Sequence, residues 1–267
     1  MPAISPDAST PPVANDRGLP LPAELREQVR RLERAHSAQR AGQAAMPLGL
    51  PAIDALLPDG GLLTGALHEI EAGPAPSGRV AAHDGAALGF AAFLMSRFRH
   101  GTLLWCRQPS GVFDAPPYAP ALSAWFDPAR LLMVTARREE DLFWAMEEGL
   151  RCPGIAAVLG ETRAADPTAG RRLSLAAEKS GVPVLLLRPQ PAPAQSVCAT
   201  RWRVVSAPSR ELGARWRVEL RRNRFGTPSA AEIPSWLVEW SDETHSLSLV
   251  PQAFDGSAGT DLERLVG

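Results

Sequence analysis

The chain is nearly without lysine: Lys179 is the only one among 28 basic residues. It sits in Ala177-Glu178-Lys179-Ser180-Gly181, the end of a helical run, away from any glycine-rich loop. Cysteine is scarce too. Cys106, Cys152 and Cys198 are far apart with no C-x-x-C spacing, which excludes a disulfide framework and a thiolate zinc site. Each lies in or beside an apolar run and reads as a small buried hydrophobe. The five histidines form no i, i+4 pair and no H-E-x-x-H, so a metal site is not expected. No G-x-S-x-G elbow appears, and hydrolase chemistry has no foothold. No apolar run is long enough to span a bilayer, and the N-terminus lacks a basic-then-apolar signal pattern. A net charge of −1 gives no global attraction to nucleic acid or to anionic lipid. With 267 residues one sizeable core is expected, in a cytoplasmic protein of bacterial type.

What is present centres on residues 48–80. Leu50, Ile53, Leu56 and Leu57 keep helical spacing, which predicts a short helix burying one face. Gly60, Gly61 and Gly65 punctuate a tight connection. Leu67 to Glu71 reads as a strand. It is followed by Gly73-Pro-Ala-Pro-Ser-Gly78-Arg79-Val80. This is the frame of a phosphate loop, G-x-x-x-x-G-K-[ST], with both chemical residues replaced. Arg79 stands where a lysine would reach the β- and γ-phosphates, and Val80 where a hydroxyl would hold magnesium. An alkyl group cannot ligate a hard cation. A planar guanidinium does not replace a compact ammonium in a tight cradle. A degenerate G-x-x-x-x-G is weak by itself, and a Gly/Pro-rich loop accounts for it equally well.

Taken in order, residues 1–20 are rich in proline, serine and alanine and are expected to be disordered. Residues 21–45 hold an amphipathic helix and linker. Leu25, Val29 and Leu32 form its stripe, with arginines on the other side, suited to docking on this chain's own core or on a partner. Residues 46–250 form the core and 251–267 a flexible tail. Within the core, Ala86 to Arg97 predicts a buried helix and Thr102 to Cys106 a strand. Residues 109–128 form an irregular segment held by Phe113, Tyr118, Trp125 and Phe126. Leu131 to Val134 is a strand, and Glu139 to Leu150 a helix burying Leu142, Phe143, Met146 and Leu150. Ile155 to Leu159 is a strand ending at Gly160-Glu161. A helix from Gly170 to Ser180 and a strand from Pro183 to Leu187 follow. Apolar strands alternating with helices indicate a parallel sheet covered on both faces. Arg201 to Val205, Arg215 to Arg221 and Trp236 to Trp240 alternate instead, and read as antiparallel strands with one wet side.

This order resembles the RecA recombinase core. More closely, the chain resembles the ImuA family of damage-inducible mutagenesis proteins, shortened relatives of RecA. The resemblance rests on LHEIEAGP (67–74), RRLSLAAEKSGVPVLLLRP (171–189) and the RWRV, RWRVELRRNR and WLVEW blocks between 201 and 240. It implies an α/β, RecA-like three-layer core with a mostly parallel sheet, antiparallel strands at the C-terminal end and an N-terminal helix. It also implies a pattern of loss. The water-activating glutamate falls at or near Arg107-Gln108. The acid that ends the fourth strand survives as Glu161 only with the frame shifted by one. The nucleotide-sensing glutamine falls near Pro189, with Gln190 adjacent. A basic-Asn-basic run that reaches a neighbouring subunit's nucleotide is kept as Arg222-Asn223-Arg224. The vestigial nucleotide site is therefore Gly73, Gly78, Arg79, Glu161, Arg222 and Arg224, with no catalytic residue and no metal.

The function implied is that of a non-enzymatic accessory protein of SOS-induced translesion synthesis. No cofactor is turned over, and ATP binding without hydrolysis stays open. The implied partners are an ImuB-like Y-family polymerase relative, an error-prone replicative-type DNA polymerase and RecA, with no membrane. Two alternatives stay open: a RecA-like ATPase or recombinase that binds DNA, and a SulA-like cell-division inhibitor. Arginines 201, 203, 215, 217, 221, 222 and 224 crowd the last strands against Glu211 and Glu219. They read as a solvated strand face, with weak non-specific DNA contact left open. Trp202, Trp216, Trp236 and Trp240 alternate in a way that makes them core rather than a stacking platform.

Overall fold

In the computed structural model, the described residues are 44–73, 84–109, 117–163, 166–189, 196–209, 213–224 and 233–250. All belong to one unit, Ala44–Gly267. The expected N-terminal tail and helix, the loop with Gly78, Arg79 and Val80, Phe113, Gln190 and the C-terminal tail lie outside the described residues.

The chain opens with a small antiparallel pair, β1 (Ala45–Met46) against β2 (Leu62–Leu63). Between them lies a one-turn helix, α1 (Pro51–Asp54), with proline in its first turn, where no N–H partner is needed. The Asp54 carboxylate accepts the N–H groups of Leu48, Gly49 and Leu50 at 2.8–3.1 Å and fixes the turn. Leu50, Ile53 and Leu57 are buried, but Leu56 is 46% exposed. The helix ends at Asp54, so Leu56 falls past it and leaves the expected face. Gly61 lies against β1: a Cβ there would come within 2.5 Å of the Met46 carbonyl carbon.

From there, β3 (Leu67–Ala72) leads to α2 (Ala86–Ser96) and β4 (Thr102–Arg107). A short helix, α3 (Ala119–Leu122), precedes β5 (Leu131–Thr135), α4 (Glu139–Arg151) and β6 (Ile155–Glu161). Next come α5 (Pro167–Ser180), β7 (Val184–Pro189), β8 (Thr200–Ser206), β9 (Arg215–Asn223), β10 (Ser235–Ser241) and β11 (Ser246–Leu249). The nine strands after β2 form one sheet in the order β11-β10-β9-β8-β3-β7-β6-β4-β5. From β8 to β5 every pairing is parallel, and from β8 to β11 every pairing is antiparallel.

Two cores result. One packs α2 and Trp125 against Leu103, Trp105, Leu159, Leu187, Trp202 and Val218. The other packs Leu142, Met146 and Leu150 of α4 and Leu173 and Ala177 of α5 on the opposite face. Helices on both faces of a mostly parallel sheet, followed by antiparallel strands, make this the expected α/β, RecA-like fold. Helix α2 is almost wholly buried, as its unbroken apolar composition dictates.

Three expectations need correction. Strand β8 is not simply one of the antiparallel set: it is parallel to β3 and antiparallel to β9. Its alternation arises because only the α2 face is fully covered, while Arg201, Arg203 and Val205 are half-buried. Strand β5 is an edge strand and leaves Leu132 51% exposed. Cys152 is exposed, although Cys106 and Cys198 are buried as expected. Strand β11 is an addition, joined to β10 through a turn at Asp242–His245.

Candidate functional site

The carboxyl ends of the parallel strands are where an open α/β sheet places its ligands. Strand β3 ends at Gly73 there, β4 at Arg107 and β6 at Glu161. Trp105, Arg107 and Glu161 share the α2 face through the register that pairs Trp105 with Leu159 and Cys106 with Gly160. Glu161 Oε1 accepts the indole N–H of Trp105 at 2.7 Å and lies 3.7 Å from Arg107 Nε. All three side chains are buried. The surviving acid is thus held in the core by an indole and a guanidinium. Gly160 before it has a packing role, since a Cβ there would overlap the thioether of Met146.

At the start of α2 stands Asp84, buried and not singled out by sequence reasoning. Its Oδ1 accepts the N–H of Ala86 at 2.9 Å and the hydroxyl of Ser206 at 2.6 Å. Its Oδ2 accepts the N–H of Ser206 at 2.5 Å. The N–H of Asp84 donates to the carbonyl of Gly73 at 2.9 Å. The two ends of the 74–83 segment are therefore tied together and to the end of β8. A helix N-terminus attracts anions, and here the protein's own carboxylate supplies one. The sequence signal for Asp84 was its place just ahead of an apolar helical run. Gly73 packs against β8, with a Cβ there falling 2.5 Å from Val205 Cγ1.

Arg222 and Arg224 do not join these residues. The register sets Arg222 opposite Arg201, and the Arg224 N–H donates to the carbonyl of Ala199, whose own N–H donates to Leu67. Arg224 lies at the level of Leu67 and Arg222 at the level of Glu69, six and four residues, or roughly 20 and 13 Å, along the strand from Gly73. Asn223, the centre of that run, is buried and donates from Nδ2 to the Leu56 carbonyl at 2.8 Å. That contact anchors the chain after α1.

Over 237 aligned residues the chain is 32% identical to Protein ImuA of Caulobacter vibrioides, in each of two strains. The alignment covers 77% of this chain and 87% of that protein. The chain belongs to the ImuA family. No family model matches it. The blocks that carried the resemblance to ImuA fall on β3, on α5 with β7, and on β8 to β10. Within this ImuA-family fold, the crowded arginines are largely matched by carboxylates. Arg203 and Arg221 share Glu219 at 3.6 and 3.4 Å, and Arg215 bonds both oxygens of Glu239 at 3.1 Å. Arg201 lies 2.8 Å from Glu69 and 3.6 Å from Glu71. Four of the seven arginines are thus paired with carboxylates. Trp202, Trp216 and Trp240 are buried on the other face, where Trp125 stacks on Trp240 at 3.7 Å and on Trp216 at 5.8 Å. Among the described residues no group of three or more His, Cys, Asp or Glu side chains is placed to hold a metal ion. No helix there is long and apolar enough to cross a membrane.

Proposed function

We propose that this protein is a non-catalytic accessory factor of damage-induced translesion synthesis. It acts through protein contacts and not through nucleotide turnover. Membership of the ImuA family supports a part in damage-inducible mutagenesis. The partners are those the resemblance implies: an ImuB-type polymerase relative, an error-prone replicative-type polymerase, and RecA. The observation that carries the reading is the engagement of Glu161 by Trp105 and Arg107. Phosphoryl transfer depends on positioned charge, and losing one such group typically slows it by about 10²–10³. Here Arg79 replaces the lysine, Val80 the magnesium hydroxyl, and the remaining acid is held in the core. A RecA-like core without that chemistry still offers surfaces for gripping neighbours.

The test is direct binding of the purified full chain to a purified ImuB-type protein and to RecA, with and without ATP. The reading expects binding to at least one of them, at equal affinity in both conditions. Binding to neither, or binding that requires ATP, would overturn it.

A further inference from the structure

We propose that β5 is a self-complementary edge through which two copies of this chain join, by antiparallel pairing about a two-fold axis at Met133. Strand β5 (Leu131–Thr135) closes the sheet on one side, with no strand beyond it among the described residues. An open strand edge pairs with another strand unless charge, proline, a bulge or brevity blunts it. β5 carries no charge and no proline, and its register with β4 runs unbroken from Leu131 to Thr135. The opposite edge is blunter: β11 has four residues, and its exposed ones are Ser246 and Ser248.

Backbone direction fixes the pairing. The Ala136 N–H donates to the Arg107 carbonyl at the end of β4. In a parallel ladder, alternate residues turn both backbone groups to the same side. Leu132 and Val134 therefore face β4, while Leu131, Met133 and Thr135 turn their N–H and C=O groups outward. A two-fold at Met133 sets it opposite Met133 of the second copy, and Leu131 opposite Thr135 of that copy. Opposed residues of this kind exchange both their hydrogen bonds, so every outward group is used. A slip of two residues leaves Leu131 or Thr135 without its mate.

The side chains agree with that register. Leu132 and Val134 lie on the α4 face, beside Leu104 and Cys106. Leu132 is 51% exposed, and Val134 is half-buried. The two-fold brings Leu132 of each copy opposite Val134 of the other, in the closer, non-hydrogen-bonded kind of pair. The exposed leucine is thereby covered. Charge agrees as well. Arg130 bonds the carbonyls of Phe98 and Gly101, so Arg99 stands with Arg130 and Asp127 at the amino end of β5, one cation in excess. After the carboxyl end come Arg137, Arg138, Glu139, Glu140 and Asp141, one carboxylate in excess. Antiparallel pairing sets each end beside the opposite end of the other copy.

Sedimentation equilibrium of the full chain, from about 1 μM to about 1 mM, would read the association. The expected result is a monomer–dimer equilibrium that Leu132→Lys and Thr135→Pro each weaken tenfold or more. Both side chains are exposed, and the Thr135 N–H faces away from β4, so both variants should keep the native circular dichroism. Hydrogen exchange gives a second reading on the unaltered chain. The amides of Leu131, Met133 and Thr135 should exchange more slowly as concentration rises, and those of Leu132 and Val134 should not change. A wild type that stays monomeric throughout, or a dimer that neither variant weakens, would overturn the proposal. So would protection of those amides that appears only on adding a purified ImuB-type protein, because the occupant would then be a partner's strand. The accessory-factor reading stands or falls separately, on whether such a protein or RecA binds at all.

Discussion

His68 is fully buried on β3, and its hydrogen bonds fix its chemical form. Its Nε2 lies 2.9 Å from the Leu63 carbonyl, which only accepts, so Nε2 carries the proton. Its Nδ1 then accepts from the Thr200 hydroxyl at 2.8 Å, while Thr200 Oγ1 accepts the Trp202 indole N–H at 2.8 Å. Burial holds the imidazole down at about 4, against the 6.5 of an exposed histidine, with the Leu63 bond opposing the shift. Between these values the unfolded chain binds the proton and the folded chain does not, so stability rises with pH across that window. On acidification through it the fold loses about 3 kcal/mol. Urea denaturation at several pH values should show this loss, and His68→Gln should remove its share of the slope. Glu161 yields a second prediction. Glu161→Ala removes the carboxylate beside Arg107 and the acceptor of the Trp105 indole and should cost about 3–5 kcal/mol, whereas the pair Arg107→Met with Glu161→Leu should recover only part of it, because the indole N–H still lacks its acceptor. Thermal melts of the three variants would check this. Glu161 was legible in the sequence as the one surviving acid. Its indole and guanidinium partners were not, because they sit on another strand and depend on a register that one sequence does not reveal.

Among the elements, α2, α4, β6 and β7 were readable because each buries the stripe or run that its composition displays. Strand direction was not. The alternation of β8 reports which of its faces a helix covers, and a strand parallel to β3 can alternate when α5 does not reach it. The edge position of β5 was hidden likewise, since Leu-Leu-Met-Val-Thr carries no charge or proline to mark an outer edge. Helix α2 carries a prediction of its own. A Cβ at Gly89 would fall 2.6 Å from Cζ2 of Trp216, a ring that stacks on Trp125. Alanine gains about 1 kcal/mol of helix propensity over glycine. Displacing a stacked indole in a filled core typically costs about 1–3 kcal/mol. Gly89→Ala should therefore be neutral to destabilising, and Gly89→Val clearly destabilising, in a urea titration. Leu132→Lys on β5 should leave stability within about 0.5 kcal/mol and lower the tendency to aggregate, read by light scattering.

At the scale of the molecule, the parallel sheet, its two helical covers and the antiparallel extension had all been announced by runs, stripes and alternation. The proposed loss of nucleotide chemistry was half legible, in Arg79 and Val80. The other half needed the fold. Asp84 ties the loop ends to β8, and Glu161 turns into the core. The cysteines agree with a chain that does no covalent chemistry at these positions. Burial pushes the Cys106 thiol up to about 12, and burial together with the nearby Glu69 pushes Cys198 up to about 11, so neither forms a thiolate at neutral pH.

The central claim is that this RecA-like fold no longer splits ATP. The most direct measurement is phosphate release by the purified full chain with magnesium, ATP and single-stranded DNA, alongside the Glu161→Gln variant. No release above the buffer blank is expected from either protein. Steady release by the wild type that vanishes in Glu161→Gln would contradict it.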